Sequence, residues 1–235
     1  MTSPICYERV IIKGIRMLTK KELALKIDHT LLKPQASERD IIELCREARE
    51  HSFYSVCVHG ARLHLARNEL SQSSIKLCSV LGFPTGAHLT LAKADEAKRL
   101  CDAGVQEIDM VMNIGALKDQ NEIFVVEDIE AVMRAAEGIP IKVIIETNLL
   151  SEAEKIKASE CVVRAGAAFV KTCTGFAGGG ASVEDIRLIK KHVGSACQIK
   201  ASGGIQSLSQ ALSLLEAGAD RLGSSQSVKI LSEIH

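Results

Sequence analysis

Three residues of this chain have the types and settings for covalent chemistry on a carbonyl: Lys171, Lys200 and Asp109. Ala168-Phe169-Val170-Lys171 carries three apolar residues straight into an amine, and Thr172, Cys173, Thr174 and Gly175 follow at once. The pattern predicts a buried strand that delivers a lysine to a polar turn at its carboxyl end. A charged amine there is costly unless it is paired or used. In dry surroundings a lysine can shed its proton and become a nucleophile; alternatively its stem is buried and its head snorkels to water. Lys200 closes a second short run, Gln198-Ile199-Lys200, and Asp109 lies inside a third, Glu107 to Met112. If the three converge, Lys200 is a second ammonium near Lys171, and a like charge a few ångströms away disfavours the charged form. The neutral amine would attack an aldehyde or ketone and form a Schiff base. A protonated imine is an electron sink, so an adjacent C–C bond can break or form, with Asp109 relaying protons with Lys200 through water. Lys200 and Asp109 could also be no more than a buried ion pair.

Gly203-Gly204 follows Lys200, and Gly223-Ser224-Ser225 follows a last apolar run. Backbone N–H groups in Gly-rich turns bind phosphate well, so these two turns are the candidate anion site. Gly178-Gly179-Gly180 lacks the Gly-Lys-Ser/Thr of a nucleotide-binding loop and is expected as a flexible rim. Asp28 is either a site acid or a turn cap, and His29 beside it is expected to be packed or hydrogen-bonded. Glu146, at another strand end, is either a substrate contact or the partner of a lysine.

Positioning these groups requires a repeating scaffold. Strand candidates lie at 26–28, 54–58, 76–81, 107–112, 141–146, 169–171, 198–200 and 221–225. Between them run helical patterns, several opened by capping pairs: Ser37 with Asp40, Ser151 with Glu154, Ser182 with Asp185. One helix is expected to carry Leu91, Ala94, Ala97, Lys98 and Cys101, and another, over 118–137, to bury Ile123, Val126, Ile129 and Met133. Strict alternation implies a parallel α/β sheet, and eight units in 235 residues imply a single (β/α)8 barrel. A doubly wound sheet is the alternative, but no Gly-rich fingerprint follows the first strand. In a barrel the catalytic groups sit at the carboxyl ends of the strands, which selects Asp28, Asp109, Lys171 and Lys200.

An internal echo points the same way. Ala-Gly recurs at 103–104, 165–166 and 217–218, each Gly suited to end a helix. Five residues beyond each lie Asp109, Lys171 and Gly223, so these should share a height in the barrel. A better helix opens at Met17, with Thr19 as its cap and placed before the first strand. The domain is therefore expected over 17–235, with residues 1–16 an appendage, disordered or loosely held.

Composition narrows the class further. Hydrophobic residues make up 46% and aromatics only 3%, so aliphatic residues and alanine must fill the core, as in parallel sheets covered by helices. With 29 basic and 29 acidic residues the formal charge is zero, which argues against a nucleic-acid or membrane-surface partner. No apolar run approaches the ~20 residues of a bilayer span, and no signal-peptide pattern opens the chain; a cytoplasmic protein is expected. The eight cysteines include no Cys-x-x-Cys pair and the seven histidines no paired spacing. They are expected as reduced core thiols and not as disulfides or metal ligands. Neither metal nor cofactor is expected.

A family resemblance ties these pieces together. It is carried by Asp28-His29-Thr30-Leu31-Leu32, Val56-Cys57-Val58, Gly82-Phe83-Pro84, Glu107-Ile108-Asp109-Met110-Val111, Ile114 to Lys118, Phe169-Val170-Lys171-Thr172, Thr174-Gly175-Phe176 and Lys200 to Ile205. From about Met17 to near its end the chain resembles the deoxyribose-phosphate aldolases, class I enzymes that work through a Schiff base. The resemblance implies reversible cleavage of 2-deoxy-D-ribose 5-phosphate to D-glyceraldehyde 3-phosphate and acetaldehyde, without a metal. It implies Lys171 as the Schiff-base lysine and Asp109 with Lys200 as the proton-transfer pair. Asp28, Thr174, Gly175, Gly203, Gly204, Gly223, Ser224 and Ser225 would hold the substrate and its phosphate, and a homodimer is the expected assembly. The chain departs from the family pattern at three places: Cys173 replaces a serine, Val58-His59-Gly60 replaces Val-Asn-Pro, and Gln226 replaces a serine in the last turn. Two other classes remain open on sequence: a sugar-phosphate isomerase on the same barrel without a covalent step, and an inactive sugar-phosphate-binding protein.

Overall fold

The computed structural model describes residues 9–12 and 15–234. Eight parallel strands form a closed barrel: β3 (Ile27–Leu31), β4 (Ser55–Val58), β5 (Lys76–Leu81), β6 (Glu107–Val111), β7 (Ile141–Ile144), β8 (Phe169–Lys171), β9 (Gln198–Ser202) and β10 (Arg221–Ser224). β10 pairs with β3 to close it. Around the barrel lie α2 (Glu38–His51), α3 (Leu63–Glu69), α4 (Thr90–Asp102), α6 (Glu122–Ala135), α7 (Glu152–Ala165), α8 (Val183–Val193), α9 (Leu208–Glu216) and α10 (Ser227–Ser232), with a short α5 (Ile114–Lys118) before α6. The (β/α)8 expectation and all eight strand positions stand. Two strands, β1 (Arg9–Ile12) and β2 (Ile15–Thr19), precede them as an antiparallel ribbon, followed by α1 (Lys20–Ala24). Residues 1–8 and 13–14 of the expected appendage lie outside the described residues.

Capping decides several boundaries. Thr19 caps α1 in a full box with Glu22. An N-cap residue is extended (here φ −75°, ψ 159°), so Met17 and Leu18 finish a strand and the helix starts at Lys20, later than expected. Ser37 with Asp40 and Ser151 with Glu154 form complete boxes. Ser182 caps α8 alone, because the Asp185 carboxylate takes Lys155 Nζ at 2.5 Å. The helix expected over 118–137 is α6, which starts only at Glu122 because Gln120 is left-handed (φ 57°) and Asn121 is the cap.

The buried faces of α4 and α6 also differ from expectation. Leu91 and Ile123 are exposed, whereas Lys93 of α4 and Asp128 of α6 are buried together. Lys93 Nζ lies 2.7 Å from Asp128 and donates to the Val111 carbonyl, and Thr90 Oγ1 donates to the other Asp128 oxygen at 2.7 Å. Ala97, Val126 and Ile129 are buried as expected, but a hydrophobic-period argument assigns charges outward and so misses the Lys93–Asp128 pair. Removing one partner strands the other charge, so Asp128→Ala should lower unfolding free energy by about 3–5 kcal/mol. Replacing both partners with apolar residues should recover most of the loss; urea unfolding of the single and double variants measures both.

Following paired residues once round the barrel displaces the register by eight residues, the stagger of an eight-stranded barrel whose interior stacks in layers of four from alternate strands. Cys57, Asp109, Lys171 and Gly223 form one layer. Asp28, Cys78, Lys142 and Lys200 form the next toward the amino ends, and Ser55, Glu107, Phe169 and Arg221 the one beneath. Gly104, Gly166 and Gly218 are all left-handed, and the echoed positions Asp109, Lys171 and Gly223 do share a height. Residues between these positions, such as Ile108, Met110, Val143, Val170 and Ile199, pack outward in the apolar core. The barrel centre is thus charged where aliphatic side chains usually fill it.

Candidate active site

The charged layers converge on Asp109. Its Oδ2 accepts from Lys171 Nζ and Lys200 Nζ, each at 2.7 Å, and its Oδ1 accepts from Lys142 Nζ at 2.9 Å. Lys200 also pairs with Asp28 at 2.5 Å, and Lys142 with Glu107 at 2.7 Å. Arg221 joins Asp28 (2.8 Å) to Glu107 (3.2 Å) from below. Three carboxylates therefore face four cations inside the barrel. The expected water between Asp109 and Lys200 is not needed, since the two are in direct contact.

Burial and charge pull these groups in opposite directions, and charge prevails. Burial acts to raise the Asp109 carboxyl, but Lys142, Lys171 and Lys200 hold it well below the usual carboxylate range. Burial acts to lower the Lys200 amine, but Asp109 and Asp28 hold it above the ordinary lysine range. Lys142 is held up in the same way, by Asp109, Cys78, Asp28 and Glu107 against its burial. Lys200 and Lys142 are thus both held toward the ammonium form. Lys171 contacts one carboxylate only and is the interior amine that lines the cavity at the barrel mouth.

That cavity, of about 310 Å³, lies over the carboxyl ends of β8, β9, β10 and β3. Thr174, Gly175, Gly203, Gly204, Gly223, Ser224 and Ser225 all line it. Gly175, Gly203 and Gly204 have left-handed backbones (φ 83°, 93° and 71°), which a side chain would strain. Gly223 keeps the wall close: a Cβ there would stand 3.0 Å from Lys200 Cε and 3.1 Å from Ser202 Cβ, pressing on both. The loops are tied to each other. Thr172 Oγ1 donates to the Ser202 carbonyl and accepts from Ser202 N–H, while Ser202 Oγ donates to the Cys173 carbonyl. Ser224 Oγ donates to the Ile205 carbonyl and accepts from Gln226 N–H, so its hydroxyl is engaged within the protein. Ser225 stays open at the surface.

Asp28, expected among the substrate-binding residues, lies a layer lower with no accessible surface and holds Lys200 and Arg221. Glu146 holds the turn after Lys171 through one of its two carboxylate oxygens. Its Oε2 accepts from the N–H and hydroxyl of Thr174 at 3.1 and 2.5 Å, fixing the turn after Lys171 from a left-handed backbone of its own (φ 53°). The Cys173 thiol turns away from Lys171 toward Thr147 Oγ1 (3.3 Å) and Asn148 Nδ2 (3.1 Å). His59 donates to the Leu32 carbonyl at 2.9 Å and meets Phe83 edge-on, and Phe83 meets Phe176 in turn, forming an aromatic rim.

Sequence reasoning missed Lys142, Glu107 and Arg221. The signal was present in Ile141-Lys142-Val143-Ile144, where a lysine interrupts an apolar strand with the period that turns it inward. Cys57, Cys78 and Asp109 bring three potential ligand atoms within 4.8 Å of one another. With Lys142 Nζ 3.4 Å from Cys78 Sγ and 2.9 Å from Asp109, the pocket already holds a cation.

Comparison with known proteins agrees with this geometry. The family model for DeoC/LacD family aldolases matches residues 23–231. A deoxyribose-phosphate aldolase of Bdellovibrio bacteriovorus is 51% identical over 210 residues, covering 89% of this chain and 96% of its own. Among solved structures, the aldolase QR15 superposes with a TM-score of 0.87 at 40% identity, covering 90% of this chain and 95% of its own. A structure described as a unique tetrameric deoxyribose phosphate aldolase from Aeropyrum pernix has a TM-score of 0.85 at 31% identity, covering 91% of each chain.

Proposed function

The chain belongs to the DeoC/LacD family of aldolases, and on that premise we propose that Lys171 cleaves 2-deoxy-D-ribose 5-phosphate reversibly to D-glyceraldehyde 3-phosphate and acetaldehyde. One observation carries the assignment of Lys171. Among the charged interior residues it is the amine that both lines the cavity and touches the shared carboxylate. Lys142, Lys200 and Arg221 each hold two or more carboxylates, whereas Lys171 pairs with Asp109 alone among the described residues.

The neutral amine attacks C1 of the open-chain sugar, and loss of water with uptake of one proton leaves a protonated imine. A base takes the proton of the C3 hydroxyl, the C2–C3 bond breaks, and its electron pair moves through C1 to the imine nitrogen. D-Glyceraldehyde 3-phosphate leaves, and the enamine on Lys171 then receives a proton at C2. Water releases acetaldehyde. In this proposal Asp109 and Lys200 move the protons: the Asp109 carboxylate touches both amines, and Lys200 is the ammonium beside it. Gly175, Gly203, Gly204, Gly223 and Ser225 would receive the phosphate end. In this proposal the aldolase domain spans 17–235, with residues 1–16 an N-terminal appendage to it.

Borohydride reduction in the presence of acetaldehyde should add a two-carbon ethyl group to the peptide containing Lys171, read by mass spectrometry. An unmodified Lys171 in folded protein would exclude the covalent step and return the field to an isomerase or an inactive binding protein. The proposed assembly is a homodimer; light scattering distinguishes it from the tetramer described for the A. pernix protein. No helix among the described residues is long and apolar enough to cross a membrane, and a cytoplasmic setting is proposed.

A further inference from the structure

We infer that Lys33 is the residue that sets this enzyme's preference for a phosphorylated substrate, by supplying the positive charge at the phosphate end of the cavity. This inference rests on the aldolase reading given above. A phosphate ester carries about −1.5 to −2 charges near neutral pH. The Gly-rich turns offer N–H donors, which orient an anion but bring no full charge. Lys33 and Lys171 are the cations lining the cavity, and no carboxylate among the described residues lines it with them. Lys171 cannot serve both ends, because its nitrogen is bonded to C1 during the reaction while the phosphate hangs on C5.

Placement favours Lys33 independently of the cavity's charge. Backbone pairing sets Ser224 beside His29, so the turn after β10 and the loop after β3 leave the barrel side by side. Lys33 follows β3 by two residues and shares the cavity wall with Ser225 and Gln226. It also borders a second cavity on its other side, lined by Asp40, Glu43 and Glu47. Lys33 helps to lower the Asp40 carboxyl, after the hydrogen bonds from Ser37. Its amine forms no ion pair within 4 Å among the described residues, and the side chain is exposed. An uncommitted ammonium on a flexible stem at this rim can turn onto the phosphate without breaking another contact. Gln226, where the family pattern has serine, adds only a neutral amide, which leaves the charge to Lys33.

The test compares 2-deoxy-D-ribose 5-phosphate with unphosphorylated 2-deoxy-D-ribose. Lys33→Met should raise KM for the phosphorylated sugar about tenfold or more, the worth of one charge-assisted hydrogen bond. The ratio of kcat/KM for the two sugars should fall by the same factor, and Lys33→Arg should restore most of it. An unchanged ratio overturns the assignment. Calorimetric binding of inorganic phosphate to the intact protein at low salt separates this inference from the aldolase reading. Binding by the wild type that is lost in Lys33→Met supports it whatever the fate of the covalent mechanism. Equal binding by both proteins, or none by the wild type, sinks it.

Discussion

Lys171→Leu should lower kcat/KM by about 10⁴-fold or more, the order seen when a covalent nucleophile is removed, while leaving the protein at least as stable as the wild type. The two halves of this result have one cause. Removing Lys171 leaves Lys142, Lys200 and Arg221 against Asp28, Glu107 and Asp109, three charges on each side. Asp109 keeps two amine partners, so no carboxylate is stranded. Most buried ion-pair deletions cost several kcal/mol because the remaining charge is left alone. Here the remaining set is balanced, and leucine fills a position next to Cys57, Val80 and Leu32, which already form an apolar cluster inside the barrel. Urea unfolding and steady-state kinetics on the same preparation decide the point. A variant that is both inactive and several kcal/mol less stable would make Lys171 a structural cation first.

That separation between catalytic and structural charge was only half legible in the sequence. Lys171, Lys200 and Asp109 could be read because each ends or interrupts an apolar strand, and barrel geometry gathers strand ends at one mouth. The echo of Ala-Gly put Asp109, Lys171 and Gly223 at one height, as the strand register does. Linear order says which end of a strand Asp28 occupies but not its layer. In a staggered barrel alternate strands feed alternate layers, so a strand-end residue on one strand can line the cavity while its counterpart on the next lies in the charge network below. Lys93 and Asp128 went unread for another reason: hydrophobic period assumes that charges face water, and a fully paired charge need not. Glu146 and Lys142 stayed undetermined because their partners lie 28 and 33 residues away in sequence. No local pattern specifies which of several strand-end charges will meet.

The network explains why Asp109 cannot be exchanged for its amide. Asp109→Asn should lower kcat/KM by about 10³-fold or more and also destabilise the protein by about 3–5 kcal/mol, because three ammonium groups would then face a neutral side chain. The loss should depend on pH in a way that identifies its origin. Asp109 has a depressed folded pKa, so in the wild type its contribution is present above the ordinary carboxylate range. That contribution is lost only as pH falls toward the depressed value. On the alkaline side the signs concern Lys142 and Lys200, whose pKa values are raised with Asp109 as the leading favourable cause. Their contribution is present below the unfolded lysine value of about 10.4 and lost as pH rises through the folded value. In the variant that support is gone, and the stranded amines become easier to neutralise as pH rises. The stability gap between wild type and Asp109→Asn should therefore narrow from pH 7 to pH 10, with most activity still absent. A gap that stays constant over that range would mean that lost hydrogen-bond geometry, and not stranded positive charge, sets the cost.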